Sequence, residues 1–185
     1  MLSTETGLEI WNGNNAHTFS HYPRESSDLS KAAAFDALGP RERAELDALG
    51  DNEAVRDGWF RRKGIEYIRE HPWLATAGGL RKIGAAFGWL PSPRRGFWPN
   101  LAHALSYGPV MVLGLWGMWM RRGHWREDSL LYAVFLSFAA VTAVFFGHTS
   151  HRAYVDVYWI VFAAGALETL RRRYFAQRRA SRAGA

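Results

Sequence analysis

Arg152 is followed four residues later by Asp156, an acid near the head of the apolar stretch "AYVDVYWIVFAAGALETL", Ala153 to Leu170. A carboxylate inside a membrane-spanning segment is a functional candidate by default, because its charge is expensive there. The same spacing puts Arg152 and Asp156 on one helix face, where they form an ordinary ion pair at the helix mouth. Both readings stand. Further back, "IWNGNNAHTF" (Ile10 to Phe19) offers the amides of Asn12, Asn14 and Asn15 and the ring of Trp11, groups that contact sugars. Asn and Gly at these positions serve equally well as a turn, since both adopt positive φ readily. His17 with His21, and His148 with His151, have the spacing of metal ligands. Neither pair has a third ligand, and no His-Glu-x-x-His helix or thiolate set accompanies them, so no metal is expected; they read as titrating interfacial histidines. No Gly-rich phosphate loop, Ser-His-Asp order or cysteine nucleophile is present.

The elements that must position these residues are helical and in part apolar. "LAHALSYGPVMVLGLWGMWM" (Leu101 to Met120) carries no Lys, Arg, Asp or Glu over twenty residues, which at 1.5 Å per residue spans a hydrocarbon core of about 30 Å. "LLYAVFLSFAAVTAVFF" (Leu130 to Phe146) is shorter and equally uncharged, and 153–170 closes the set with Asp156 and Glu168 near its ends. Three transmembrane helices are expected, 101–120, 130–146 and 153–170. Small residues at 163–166, "AAGA", suit helix packing.

The formal charge of +6 is concentrated in "RRRYFAQRRASR", and a basic tail directly after an apolar segment reads as a topology signal and a contact for anionic lipid, not for nucleic acid. Glu168 precedes Arg171 and Arg172 at helical spacing and is expected to pair with them in solvent. The loop "RRGHWRED" holds three Arg, the tail six, and "GHTSHR" one. The two basic connections are therefore expected in the cytoplasm, which places residues 1–100 outside. A polar segment of that length needs a signal peptide or an earlier spanning helix to cross, and the first thirty residues contain neither. The chain is accordingly expected to be the C-terminal part of something longer, the rival being a cytoplasmic 1–100 that violates the charge rule.

Within 1–100, residues 1–29 read as irregular loop with a short strand at "GLEIW". Helices are expected from Lys31 to Leu38, from Pro40 to a stop at Gly50, and from an Asp51 N-cap to about Arg69, ended by His71 and Pro72. In the last of these, Phe60, Gly64, Tyr67 and Ile68 share a face. In "PWLATAGGLRKIGAAFGWLP" (72–90 and Pro91), Trp73, Leu80, Ile83 and Phe87 form one stripe and Lys82 points away. That is the pattern of a helix lying in the membrane surface with its basic side toward headgroups, or of a soluble amphipathic helix.

The order "IWNGNN", "RDGWFRRKGIEYIREHP", "LRKIGAAFGWLP", apolar spans and "FGHTSHRAYVDVYWIVFAA" resembles the C-terminal half of bacterial membrane glycosyltransferases of the GT-C type. That group contains protein O-mannosyltransferases and the aminoarabinose transferases of lipid A. The likeness covers about residues 7–170 and lies in a W-x-GN segment, a helix ending I-x-x-HP, and a basic and acidic lead into the last helices. The closing motif keeps Arg152 and Asp156 but has Tyr154 and Val157 where the family has prolines. The family's catalytic acids lie on a first outer loop to which nothing here corresponds.

The resemblance implies a polyprenyl-phosphate sugar as donor, an extracytoplasmic acceptor, and a location in the bacterial inner membrane with the C-terminus cytoplasmic. It implies no catalytic residue and no cofactor in this chain, and leaves a divalent metal in a full enzyme open. Arg152, Arg81 and Lys82 are then expected to hold the lipid phosphate through charge-assisted bonds, and Trp11, Asn12 and Asn14 to contact sugar or acceptor. The expected partners are membrane lipids, the prenyl donor and an N-terminal portion of the same protein. The alternative is a non-enzymatic membrane protein with an extracytoplasmic helical interaction domain.

Overall fold

The computed structural model describes residues 5–146 and 152–183, with side chains through 177. The described residues form α1 (Thr6–Gly13), α2 (Ser27–Asp36), α3 (Pro40–Ala48), α4 (Glu53–Glu70), α5 (Pro72–Ala86), α6 (Phe97–Arg121), a 3-10 turn at Arg122–His124, α7 (Ser129–Val144) and α8 (Ala153–Ala183). No strand occurs among them.

Helix boundaries follow local chemistry. Pro40 opens α3, and Gly50 closes it at φ +60°, a value that favours glycine. Asn52, one residue beyond the expected Asp51, caps α4 by accepting from the Val55 N–H. His71 and Pro72 separate α4 from α5. The strand expected at "GLEIW" is instead helix α1. Asp57 of α4 explains the difference: its Oδ1 accepts from the backbone N–H of Gly7 at 2.6 Å and of Leu8 at 3.2 Å, satisfying two donors that a helix start leaves open. At Gly7 an added Cβ would strike the Asp57 carbonyl, and at Gly64 it would press on the backbone of Trp11. The two helices cross this closely only because both positions lack a side chain.

Two cores result. Trp11, Ala34, Leu46, Trp59 and Phe60 pack together under α1 to α4, with Trp11 5.0 Å from Phe35 and 5.1 Å from Phe60 between ring centroids. Lys63 pairs with Glu42 at 2.8 Å and Trp59 donates to Glu45, which fasten α3 over α4. The second core, Tyr107, Met111, Phe135, Val155, Trp159 and Phe162, joins α6, α7 and α8.

Two helices, Phe97–His124 and Ala153–Gln177, are long and apolar enough to cross a membrane, and α7 is a shorter apolar helix. Leu105, Val112 and Leu115 on the first and Val157, Ile160 and Val161 on the second are exposed, a surface suited to lipid. The expected 171–185 tail continues α8 as helix through Ala183, and Glu168 pairs with Arg171 at 2.7 Å and Arg172 at 2.8 Å. The helix expected over 72–90 ends at Ala86, and its stripe divides. Trp73 (83% exposed) and Leu80 face out, whereas Phe87 packs on Phe138 and Trp159. Its protein-facing side is Gly78, Gly79, Lys82 and Ala86, so Lys82 lies toward the interior and not toward headgroups.

Candidate functional site

α6 and α8 run parallel. Tyr107 meets Arg152, Gly114 meets Trp159 and Gly117 meets Phe162, a constant offset along both chains. Glycine at 114 and 117 lets the two backbones approach, since a Cβ at either would collide with Trp159 or with the Phe162 carbonyl. The small residues expected at 163–166 share the task in part: Ala163 and Ala166 are buried, while Gly165 faces open space.

The N-terminal ends of these helices and the segment after α5 enclose a cleft of about 600 Å³, walled by Pro91, Arg95, His103, Tyr107, Arg152 and Asp156 at its polar end and by Val110 and Ile160 beyond. Arg152 is 3% exposed. Its Nε lies 2.9 Å from Asp156 Oδ1, Nη1 donates to the Ala86 carbonyl at 2.9 Å, and the guanidinium carbon sits 3.4 Å above the Tyr107 ring. The Ala86 carbonyl is at the C-terminal end of α5, where the helix dipole favours a cation, and a flat guanidinium uses a carboxylate, a carbonyl and a ring face at once as an ammonium would not. The pair expected from the Arg152 and Asp156 spacing is thus present.

Facing this pair are polar atoms that have no partner among the described residues. His103 Nε2 and Tyr107 OH are buried without a hydrogen bond, on residues one helical turn apart whose ring centroids are 5.6 Å apart, and Tyr107 is 8% exposed. Such groups cost about 1–3 kcal/mol each when left unsatisfied, which marks the cleft as a place for a ligand. Arg95 stands at the rim. Its backbone N–H donates to Asn100 Oδ1 at 2.9 Å and its carbonyl accepts from Asn100 Nδ2 at 2.8 Å, which ties it to the first turn of α6. No acid lies within ion-pair distance of Arg95 among the described residues.

The three expected phosphate cations do not converge. Arg81 lies 4.3 Å over the Phe19 ring and lines a neighbouring cavity of about 380 Å³ with Pro23, Trp89 and Arg94; Pro91 and Ser92 wall both cavities. Lys82 is fully buried, and its ammonium donates to the carbonyls of Gly13 and Val144, each at 3.0 Å. Burial pushes its pKa down to about 8. Only Arg152 of the three is in the cleft.

Trp11, Asn12 and Asn14 are buried. The faces of Trp11 are taken by Phe35 and Phe60, and Asn14 Nδ2 donates to the carbonyls of Ile10 and Val144. The Asn12 carbonyl accepts from Thr18 Oγ1 at 3.0 Å. These residues close the end of α1 and the turn after it, and Trp11 and Asn14 line a separate cavity of about 330 Å³ with Asn15, Glu42, Lys63 and Glu66. His21 bonds Glu25 at 2.6 Å, no group of three metal-ligating side chains occurs among the described residues, and His148 and His151 lie outside them.

No family model, curated protein or solved structure matches this chain. The resemblance therefore rests on its sequence motifs alone. His103, Tyr107 and Arg95 escape a search for charged residues inside apolar runs. The signal available for two of them is the i, i+4 pair of polar rings, His103 and Tyr107, in an otherwise apolar span.

Proposed function

We propose that this chain is the C-terminal part of an integral-membrane glycosyltransferase that draws on a polyprenyl-phosphate sugar, and that the cleft between α6 and α8 receives the donor's phosphate. The observation that carries the reading is the cleft's two-ended character. Arg95, Arg152, His103 and Tyr107 stand at one end, and Val110 and Ile160 lead from it onto exposed apolar surface. An amphiphile with a phosphate head and a hydrocarbon tail has that distribution. Acid or base for sugar transfer would come from another part of the enzyme, so the chain alone is a binding unit.

Parallel α6 and α8 support a three-pass topology, because a chain that crosses twice in one direction must return between them. The returning helix is α7, whose sixteen residues rise about 24 Å and are extended by Phe145 and Phe146. Arg121, Arg122 and Arg126 at one end, with Arg171 to Arg173, support a cytoplasmic side there in a bacterial inner membrane. The cleft then opens at the outer face.

A second reading, a membrane-anchored interaction domain without transferase activity, has support in the separate aromatic core under α1 to α4. Binding of a polyprenyl-phosphate hexose to the 185-residue chain in neutral nanodiscs separates the two. The transferase reading expects saturable binding that weakens about tenfold or more in Arg95→Gln, which loses a charge-assisted contact, and in Arg152→Gln, which leaves the Asp156 carboxylate uncompensated beside the phosphate. Absence of saturable binding, or affinity unchanged in both variants, overturns it.

A further inference from the structure

We infer that the cleft selects a singly charged phosphate diester over a doubly charged phosphate monoester, and that Asp156 sets this preference. The inference rests on reading the cleft as a lipid-phosphate site. Its starting point is the charge lining the cleft. Arg152 is matched by Asp156 at 2.9 Å, which leaves Arg95 as the single uncompensated cation among the described residues of the wall. Among those residues no lysine and no further arginine lines the wall.

The remaining polar contacts available to a ligand are a phenol hydroxyl and a ring nitrogen. Tyr107 OH and His103 Nε2 are buried and unpartnered, and they hydrogen-bond a phosphoryl oxygen whatever the total charge of the phosphate. Asp156 is held on one side by Arg152 while its side chain remains one-third exposed and lines the cleft, so a bound phosphate meets a carboxylate there. A diester carries one negative charge, which Arg95 balances. A monoester carries about −1.5 to −2 at pH 7, and the second charge finds Asp156 instead of a cation.

The functional consequence concerns order of events. A sugar joined through phosphate to a prenyl chain is a diester, and the prenyl phosphate released after transfer is a monoester. A cleft tuned in this way takes up the first and lets the second go. Asp156 is in this account a residue that acts through the field of the site and through Arg152.

The test uses the 185-residue chain in neutral-lipid nanodiscs with two probes of one long prenyl chain, its phosphate monoester and the methyl ester of that phosphate, which differ in charge and carry no sugar. Wild type is expected to bind the methyl ester about tenfold more tightly, one added charge being repelled across the cleft. Asp156→Asn is expected to abolish or invert that ratio. Tyr107→Phe, which removes one neutral donor, is expected to weaken both probes and leave the ratio unchanged.

Equal binding of the two probes by wild type, tighter binding of the monoester, or a ratio untouched by Asp156→Asn overturns the inference while leaving the lipid-phosphate reading in place. Failure of both probes to bind overturns that reading and the inference with it. Dimethyl phosphate competing as strongly as the prenyl diester overturns the lipid source, because the site would then read phosphate alone. The wild-type ratio decides the matter even where Asp156→Asn does not fold.

Discussion

The Lys82 ammonium and the Val144 carbonyl meet at 3.0 Å across 62 positions of sequence. Val144 is the last residue of α7, and the second acceptor, Gly13, is the last residue of α1. Helix C-termini leave carbonyls unpaired and carry partial negative charge, so one buried cation serves two helix ends and fastens the N-terminal helices to the apolar bundle.

Removing that cation should loosen the joint. In Lys82→Met the Val144 carbonyl keeps Asn14 Nδ2 at 2.7 Å, while the Gly13 carbonyl loses the ammonium. Near pH 10, where most of the cost of burying the charge has been relieved, the expected loss is about 1–3 kcal/mol, the cost of one buried acceptor left unpaired. Thermal unfolding in a mild detergent, with hydrogen exchange of α1 amides as a local readout, checks it; wild-type stability and protection would show that the bonds contribute nothing.

The same lysine makes stability depend on pH in an uncommon direction. Its pKa falls from 10.5 to about 8 through burial, so between those values the unfolded chain holds a proton that the folded chain has released. Stability from this group therefore rises with pH across that window, by at most about 3 kcal/mol, and below pH 8 the cost of burying the charge is fully present. The two carbonyl acceptors favour the charged form and reduce the gain. Carbon-13 labelled lysine, with the Lys82 signal assigned from a Lys82→Met sample, should titrate near 8; a midpoint near 10.5 would remove the effect.

Asp57 anchors α1 from another helix, and Asp57→Ala should release Gly7 and Leu8 N–H groups. A cap of this kind is worth about 0.5–2 kcal/mol. Fraying should appear as faster exchange over Thr6–Ile10, with α6 and α8 unaffected; uniform destabilisation would place Asp57 in a different role.

The punctuation of the chain was legible in advance because Pro40, Gly50 and His71–Pro72 act through local backbone geometry, and they mark α3, α4 and α5 with little error. Of the three expected apolar spans, those in α6 and α8 were legible through length, whereas α7 is a shorter apolar helix. What pattern alone conceals is the tertiary use of a residue. "GLEIW" is helix because Asp57 and Gly64 of α4 complete it, and Lys82 is interior because two helix ends supply acceptors that no periodicity displays. Arg152 and Asp156 were findable by spacing, whereas Tyr107 and His103 became site residues only once parallel packing set them opposite Arg152. Arg81 lines a surface cavity while Lys82, its neighbour in sequence, bonds two buried carbonyls, because adjacent residues on a helix differ by about 100°.

The α6 and α8 contact supplies a paired test. Gly117→Ala places a methyl group on the Phe162 carbonyl, with backbone on the far side and no flexible atom to yield, and should cost about 1–3 kcal/mol. Gly165→Ala enters open space on α8 and should be neutral or stabilising by up to about 1 kcal/mol. Melting of both variants in one detergent is sufficient; equal behaviour would mean that close backbone approach is not what joins the helices.

Opposite ends of α6 should face opposite sides of a membrane. Gly96 precedes the helix and Gly123 follows it, and neither has a neighbour within 4 Å of an added Cβ, so cysteine is tolerated at both. The sequence has no cysteine of its own, which makes each label unambiguous. On intact cells expressing the protein, the proposed topology expects Gly96→Cys to react with an impermeant maleimide and Gly123→Cys to react only after permeabilisation, since Arg121, Arg122 and Arg126 favour the cytoplasmic side. Labelling of both from one side would remove α6 as a span, and labelling with the two positions exchanged would invert the topology and put the Arg152 cleft at the cytoplasmic face.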